Sequence, residues 1–144
     1  MEMLIRKINP ADAAAIAALS LQLGYPTTEK ETAERIAQIE NNPEHFVLLV
    51  EISNQVVGWI HAFISLHLQS ALFAEIAGMV VRENFRNHGV GRTLIAEVEK
   101  WAMEKKSDHL RVRSNIVRKE THQFYLNRGF QLIKEQKIFD KRIS

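Results

Sequence analysis

The 144-residue sequence contains no cysteine. That one absence excludes disulfides, thiolate zinc sites and a covalent cysteine nucleophile together. It fits a reducing compartment, and the cytoplasm is the expected location. No apolar run approaches the ~18 residues a membrane-spanning helix requires, and Met1-Glu2-Met3 does not open like a signal peptide. An excess of one charge is missing too: the net charge is +2 with no Lys/Arg block, too mild for a nucleic-acid binder. Three prolines and six glycines leave no linker or low-complexity tract. What remains is 46% hydrophobic and 25% charged, the balance of an ordinary globular chain, and its length suits a single domain over residues 1–144.

The elements alternate between two periods. Leu4–Ile8 reads as a strand. Asn9-Pro10 then starts a helix, with Asn9 as cap, Ile16, Leu19 and Leu23 as its apolar stripe, and Gly24 as its stop. Thr28 and Glu31 form a capping box for a second helix carrying Ala33, Ile36 and Ile39. Segments 45–51 and 55–66 read as a hairpin turning at Ser53-Asn54, and Ala74–Val81 as a third long strand containing Gly78. Leu94, Ile95, Val98, Trp101 and Ala102 mark an amphipathic helix running to about Lys106. Residues 109–115 alternate as a strand, Arg118–Arg128 reads as a short helix stopped by Gly129, and Phe130–Phe139 is expected to supply one or two closing strands. The class is mixed α/β.

The stretch from Ala74 to Asn115 carries the chemistry. It reads strand, turn with Gly89-Val90-Gly91, helix, strand, which is a parallel crossover with its turn at the amino end of a helix. Unpaired backbone N–H groups and the helix dipole converge there, and two glycines let an anion approach the backbone. Each charge-assisted hydrogen bond contributes roughly 1.5–3 kcal/mol, so several make a pyrophosphate cradle. A Walker loop would need Gly-Lys-Ser/Thr where Gly91-Arg92-Thr93 stands. A dinucleotide fingerprint would need a glycine at Leu94.

Arg86-Asn87-His88-Gly89-Val90-Gly91 instead resembles the Arg/Gln-x-x-Gly-x-Gly/Ala signature of the GNAT superfamily of acyl-CoA-dependent N-acyltransferases. The segment His122–Phe130, with Phe124-Tyr125 and Gly129-Phe130, looks like the family's late motif, and the element order is similar along essentially the whole chain. The resemblance implies a mostly antiparallel sheet with a splayed parallel strand pair, flanked by about four helices. It implies acetyl-CoA as co-substrate, no metal, and a small-molecule primary amine as acceptor, such as an aminoglycoside, a polyamine or an aminoalkylphosphonate.

Residue by residue, the resemblance implies that the pantetheine arm pairs with the backbone of Met79, Val80 and Val81. The pyrophosphate would sit on the loop Arg86, Asn87, His88, Gly89, Val90, Gly91 and Arg92, and Asn115 would meet the arm. Tyr125 is expected to protonate the departing CoA thiolate. From the residues alone, Tyr125 reads as a half-buried core position on the helical stripe it shares with Thr121, Phe124 and Arg128. Glu75 is the expected base, directly or through water; pairing with a basic neighbour is the competing role. By strand parity Glu75 shares a face with Met79 and Val81, unless Gly78 marks a bulge. Without cysteine, direct transfer in a ternary complex is the expected route. Tyr25, Trp59, His61 and Glu75 are candidate walls of the acceptor site. A protein or peptide acetyltransferase and a non-catalytic CoA sensor are the alternative functions, and Ile138 and Phe139 are a candidate homodimer seam.

Overall fold

The structure, a computed structural model, describes residues 2–144. Ser53 and Asn54, at φ +52° and +63°, make the tight turn that folds β2 (His45–Ile52) onto β3 (Gln55–His67). Two residues of positive φ match the twist of the strands they join. β1 (Leu4–Lys7) pairs antiparallel with β2, and β4 (Ser70–Val81) pairs antiparallel with β3. β5 (Leu110–Val112) is parallel to β4, so the sheet order is β1-β2-β3-β4-β5. This is the mixed sheet with one parallel pair that the sequence led us to expect.

Helices cover both faces. A 3-10 turn at Pro10–Asp12 leads into α1 (Ala13–Ser20), and α2 (Glu29–Ile39) follows. Ala13, Ile16 and Ile36 pack with Val47 and Leu49 on one face of the sheet, with Trp59 against them. α3 (Val90–Glu104) covers the other face through Leu94, Ile95, Val98 and Trp101, whose ring stacks on Phe46 at 5.2 Å. The entry to α1 is held by buried Asp12. Arg6 grips its two oxygens at 2.7 and 2.8 Å while donating from Nε to Glu51 at 2.6 Å. The guanidinium, followed by the Asn9 N–H, keeps the Asp12 carboxyl below its ordinary range against the opposing effect of burial. Thr28 and Glu31 cap α2 reciprocally at 3.0 Å, as their spacing predicts.

Two details shape the middle of the sheet. His61 pairs with Gly78 but Ala62 pairs with Ile76, so Ala77 is one extra residue in β4. This bulge breaks the parity count. Glu75 faces the same side as Gly78 and Val80, not Met79 and Val81, because a single inserted residue swaps faces beyond it. The parallel ladder to β5 covers only Ala74–Ile76 and stops where the bulge begins. The predicted strand at residues 109–115 is correspondingly shortened to three residues.

Residues 114–144 form a second compact unit. It contains α4 (Lys119–Asn127), ended by Gly129 at φ +93°. The expected closing strands in Phe130–Phe139 are absent: residues 130–144 have no regular secondary structure. Ile138 and Phe139 are 87% and 89% exposed, so the apolar pattern read there as strand burial buries nothing within this chain.

Adjacent strands also bring together His45 and His61, Nδ1 to Nε2 at 2.9 Å, with the rings stacked. Burial, and secondarily the charge of His45, pushes the His61 pKa down to about 4. The folded protein therefore binds fewer protons than the unfolded chain between about pH 4 and 6.5, and stability falls as pH is lowered through that window. The loss amounts to about 3 kcal/mol by pH 4. In urea titrations between pH 7 and 4, His61→Gln flattens this part of the decline; a slope identical to the wild type's would contradict the assignment.

Candidate active site

The bulge at Ala77 leaves an open backbone edge. From Ala77 to Val81, β4 has a strand partner on the β3 side only among the described residues. The Val81 carbonyl points away from β3, because it accepts from Gln22 Nε2 at 3.1 Å. Strand alternation then turns the N–H and C=O of Met79 to the same free edge, while those of Val80 face Trp59 on β3. Gln22 also accepts from the Glu83 N–H at 3.3 Å, tying the end of the edge to the turn that follows.

That turn runs through a 3-10 segment, Glu83–Phe85, into the loop Arg86–Gly89 and then α3. Arg86, Asn87, His88 and Arg92 are exposed, and Gly89 and Gly91 are half-buried. Asn87 and Gly89 take positive φ, +65° and +84°, which turns the chain sharply enough to start the helix at Val90. α2 has its first N–H groups capped by side chains; α3 does not, since Gly89 has no side chain to offer. Among the described residues no protein group accepts from the N–H groups of Asn87 to Arg92. The result is a cluster of backbone donors at the positive end of a four-turn helix, the arrangement that binds a phosphate. Gly58 holds this helix end against the sheet. A Cβ there would meet the Val80 carbonyl at 3.0 Å and Val90 Cγ1 at 3.1 Å, so a larger residue would push the helix end away by a few tenths of an ångström.

Beside Gly78, on the face covered by α1 and α2, lies a cleft of about 430 Å³. Tyr25 and Trp59 line it, as the sequence suggests, together with Ser20, Thr27 and Arg35, which it did not. A Cβ on Gly78 would stand 3.1 Å from the Trp59 ring, so this glycine lets the indole lie flat against the bulged strand. His61 and Glu75 are not in the cleft lining. His61 is taken up by His45, and Glu75 is buried with Arg113 Nε 3.3 Å from its Oε1.

In the second unit, Asn115 accepts from the Val117 N–H at 3.1 Å through Oδ1 and caps the turn into α4. Tyr125 is 9% exposed and makes edge-on contacts with Phe124 and Phe130. Burial raises its pKa above the ordinary phenol value, opposed by the charge of Arg118. Its hydroxyl is protonated throughout the neutral range. Among the described residues no group of three or more His, Asp or Glu side chains could hold a metal ion, and no helix is long and apolar enough to cross a membrane.

Comparison with known proteins places the fold and the family. The chain is 31% identical over 80 residues to an aminoalkylphosphonate N-acetyltransferase of Salmonella typhimurium, covering 55% of this chain and 52% of that protein. It thus spans about half the length of that relative. Its fold matches an aminoglycoside antibiotic 6'-N-acetyltransferase of Acinetobacter baumannii with a TM-score of 0.87 at 21% identity, over 99% of this chain and 100% of the other. It matches equally AAC(6')-Iy bound to the bisubstrate analogue CoA-S-monomethyl-acetylneamine, with a TM-score of 0.87 at 19% identity over 99% and 100% of the two chains. The family model for acetyltransferases of the GNAT type matches residues 14–130, and the chain belongs to that family.

Proposed function

We propose that the protein transfers the acetyl group of acetyl-CoA to the primary amine of a small molecule, by direct attack in a ternary complex within one catalytic domain over residues 1–144. The observation that carries this reading is the run of open backbone groups from the free edge of β4 into the uncapped start of α3. Of the expected partners Met79, Val80 and Val81, the pantetheine arm pairs with this edge through the outward backbone groups of Met79 and the N–H of Val81, because those of Val80 are turned to Trp59 on β3 and the Val81 carbonyl is held by Gln22. The pyrophosphate takes the donors of Asn87, His88, Gly89, Val90, Gly91 and Arg92, with Arg86 at the loop's entry. Asn115 contacts the arm through its amide nitrogen, since its oxygen serves the turn.

In the transfer, the neutral amine attacks the thioester carbonyl. A carbon–nitrogen bond forms, the carbon–sulfur bond breaks, and the electron pair leaves on sulfur. Tyr125, held protonated by its burial, delivers its proton to that thiolate. Glu75 receives the amine's proton through water, its carboxylate oriented by Arg113. The acceptor class runs from aminoalkylphosphonates, after the Salmonella relative, to aminoglycosides, after the Acinetobacter enzyme, with polyamines included on the family resemblance alone. The cytoplasm, where acetyl-CoA is made and thiols stay reduced, is the proposed compartment. Homodimerisation through residues 130–144 completes the proposal, supported by the exposed Leu132, Ile133, Ile138, Phe139 and Ile143.

Release of free thiol from acetyl-CoA in the presence of a panel of amines tests the activity, with no thiol background from a cysteine-free chain. Tyr125→Phe lowers kcat about 100-fold or more with the acetyl-CoA KM unchanged; full turnover would remove the general acid. Gly89→Ala forces a β-carbon into the left-handed region, at about 1 kcal/mol, and raises the acetyl-CoA KM roughly fivefold. An unaltered KM would place the pyrophosphate elsewhere. Light scattering reads a mass twice the 16.6 kDa of the chain, falling to one chain when residues 138 and 139 are replaced by Glu; a monomeric wild type would contradict the seam.

A further inference from the structure

We infer that Arg35 is the anion-binding residue of the acceptor cleft, and that the acceptor is a small amine carrying a phosphonate or phosphate group, not a polycation. This rests on the acetyltransferase reading and narrows it. Arg35 lines the cleft from α2, and its Nη1 donates to Thr27 Oγ1 at 2.7 Å, which fixes the plane of the guanidinium and leaves its other N–H groups to a ligand. Among the described residues no carboxylate lies within ion-pair distance of it. Glu31, one turn earlier, feels its charge, but that carboxylate is bound to the Thr28 N–H at 3.0 Å.

The rest of the lining agrees in sign. Tyr25 supplies a hydroxyl, those of Ser20 and Thr27 being bonded to the Ile16 carbonyl and to Arg35, Trp59 gives an aromatic wall, and no residue of the cleft is acidic. The nearest carboxylate along β4, Glu75, is engaged by Arg113. An aminoglycoside or polyamine carries several ammonium groups at neutral pH and would bring them against a guanidinium with nothing to compensate. A phosphonate or phosphate takes the remaining Arg35 donors as a paired set. Its amine, at the other end of the molecule, then reaches the bulged backbone of Ala77 and Gly78, where β4 opens toward the acyl donor. The cleft volume, about 430 Å³, is near the small end of ligand sites and suits a molecule of this size.

Two readouts on the full chain test this. Thiol release compares 2-aminoethylphosphonate with ethanolamine, 1,4-diaminobutane and an aminoglycoside; calorimetry measures 2-aminoethylphosphonate binding to the CoA-loaded protein. The expected result is a kcat/KM at least 100-fold higher for the phosphonate than for ethanolamine. Arg35→Gln cuts that value 50-fold or more, mainly through the KM of the amine, and Arg35→Lys restores part of it. Arg35 is exposed on its helix, so both variants fold, and circular dichroism verifies it. Turnover that favours the diamine or the aminoglycoside, or that is indifferent to Arg35→Gln, overturns this inference and leaves the acetyltransferase reading standing. Arg35-dependent binding of the phosphonate without thiol release upholds the inference and overturns the catalytic reading. Absence of both binding and release overturns both.

Discussion

One extra residue in a strand sets the rest of the site. The bulge at Ala77 shifts β4 against β3 between Ile76 and Gly78, and the parallel ladder to β5 ends at the same point. A strand in the interior of a parallel sheet normally uses its hydrogen-bonding groups on both sides. Here the last residues of β4 keep one side open, and that opening sits at the carboxyl end of the strand, where α/β crossovers place ligands. The open edge costs the fold its ladder bonds, and the protein offsets that only in part, through the side chain of Gln22 on Val81 and Glu83.

The second element is the way the edge joins the helix. Arg82 reaches back to β3, its N–H bonding the Val57 carbonyl at 2.7 Å, and the loop then turns at Asn87 and Gly89 into a helix without a cap. Gly58 lets the first turn of that helix sit directly on the sheet. Strand edge and helix start therefore form one continuous surface of backbone donors and acceptors. Side chains enter mostly at the other end, where Trp59, Tyr25, Thr27 and Arg35 line the cleft beside the bulge. In the proposed reading, binding of the acyl donor rests on backbone geometry, and selection of the amine rests on a few side chains from α1, α2, the segment between them and β3.

Much of this was legible in the sequence because it depends on local rules. The capping box of Thr28 and Glu31, the Ser53-Asn54 turn, the α3 stripe and the loop glycines each follow from neighbouring residues, and each is found in place. The face of Glu75 stayed open in the sequence, because parity holds only without a bulge near Gly78; register beyond a bulge depends on pairing with β3, which the strand's own pattern does not encode. His61 looked like a wall residue and is instead absorbed by His45 across the hairpin, sixteen residues away. Arg35 had no signal, being one more cation on the polar side of a helix until the fold brings it into the lining of the cleft with Trp59 and Gly78. The segment 130–144 carries an apolar pattern that reads as strand, but such a pattern specifies a buried face without naming the chain that buries it.

The most direct test of the account is amide hydrogen exchange, resolved by residue, with and without CoA. The open edge and uncapped helix predict that CoA slows exchange at Met79 and Val81 and across Asn87 to Arg92, while the β1–β2 pairing from Leu48 to Val50 is unchanged. Bound CoA that leaves those amides exchanging at their free rates, or protects a different surface, would contradict it.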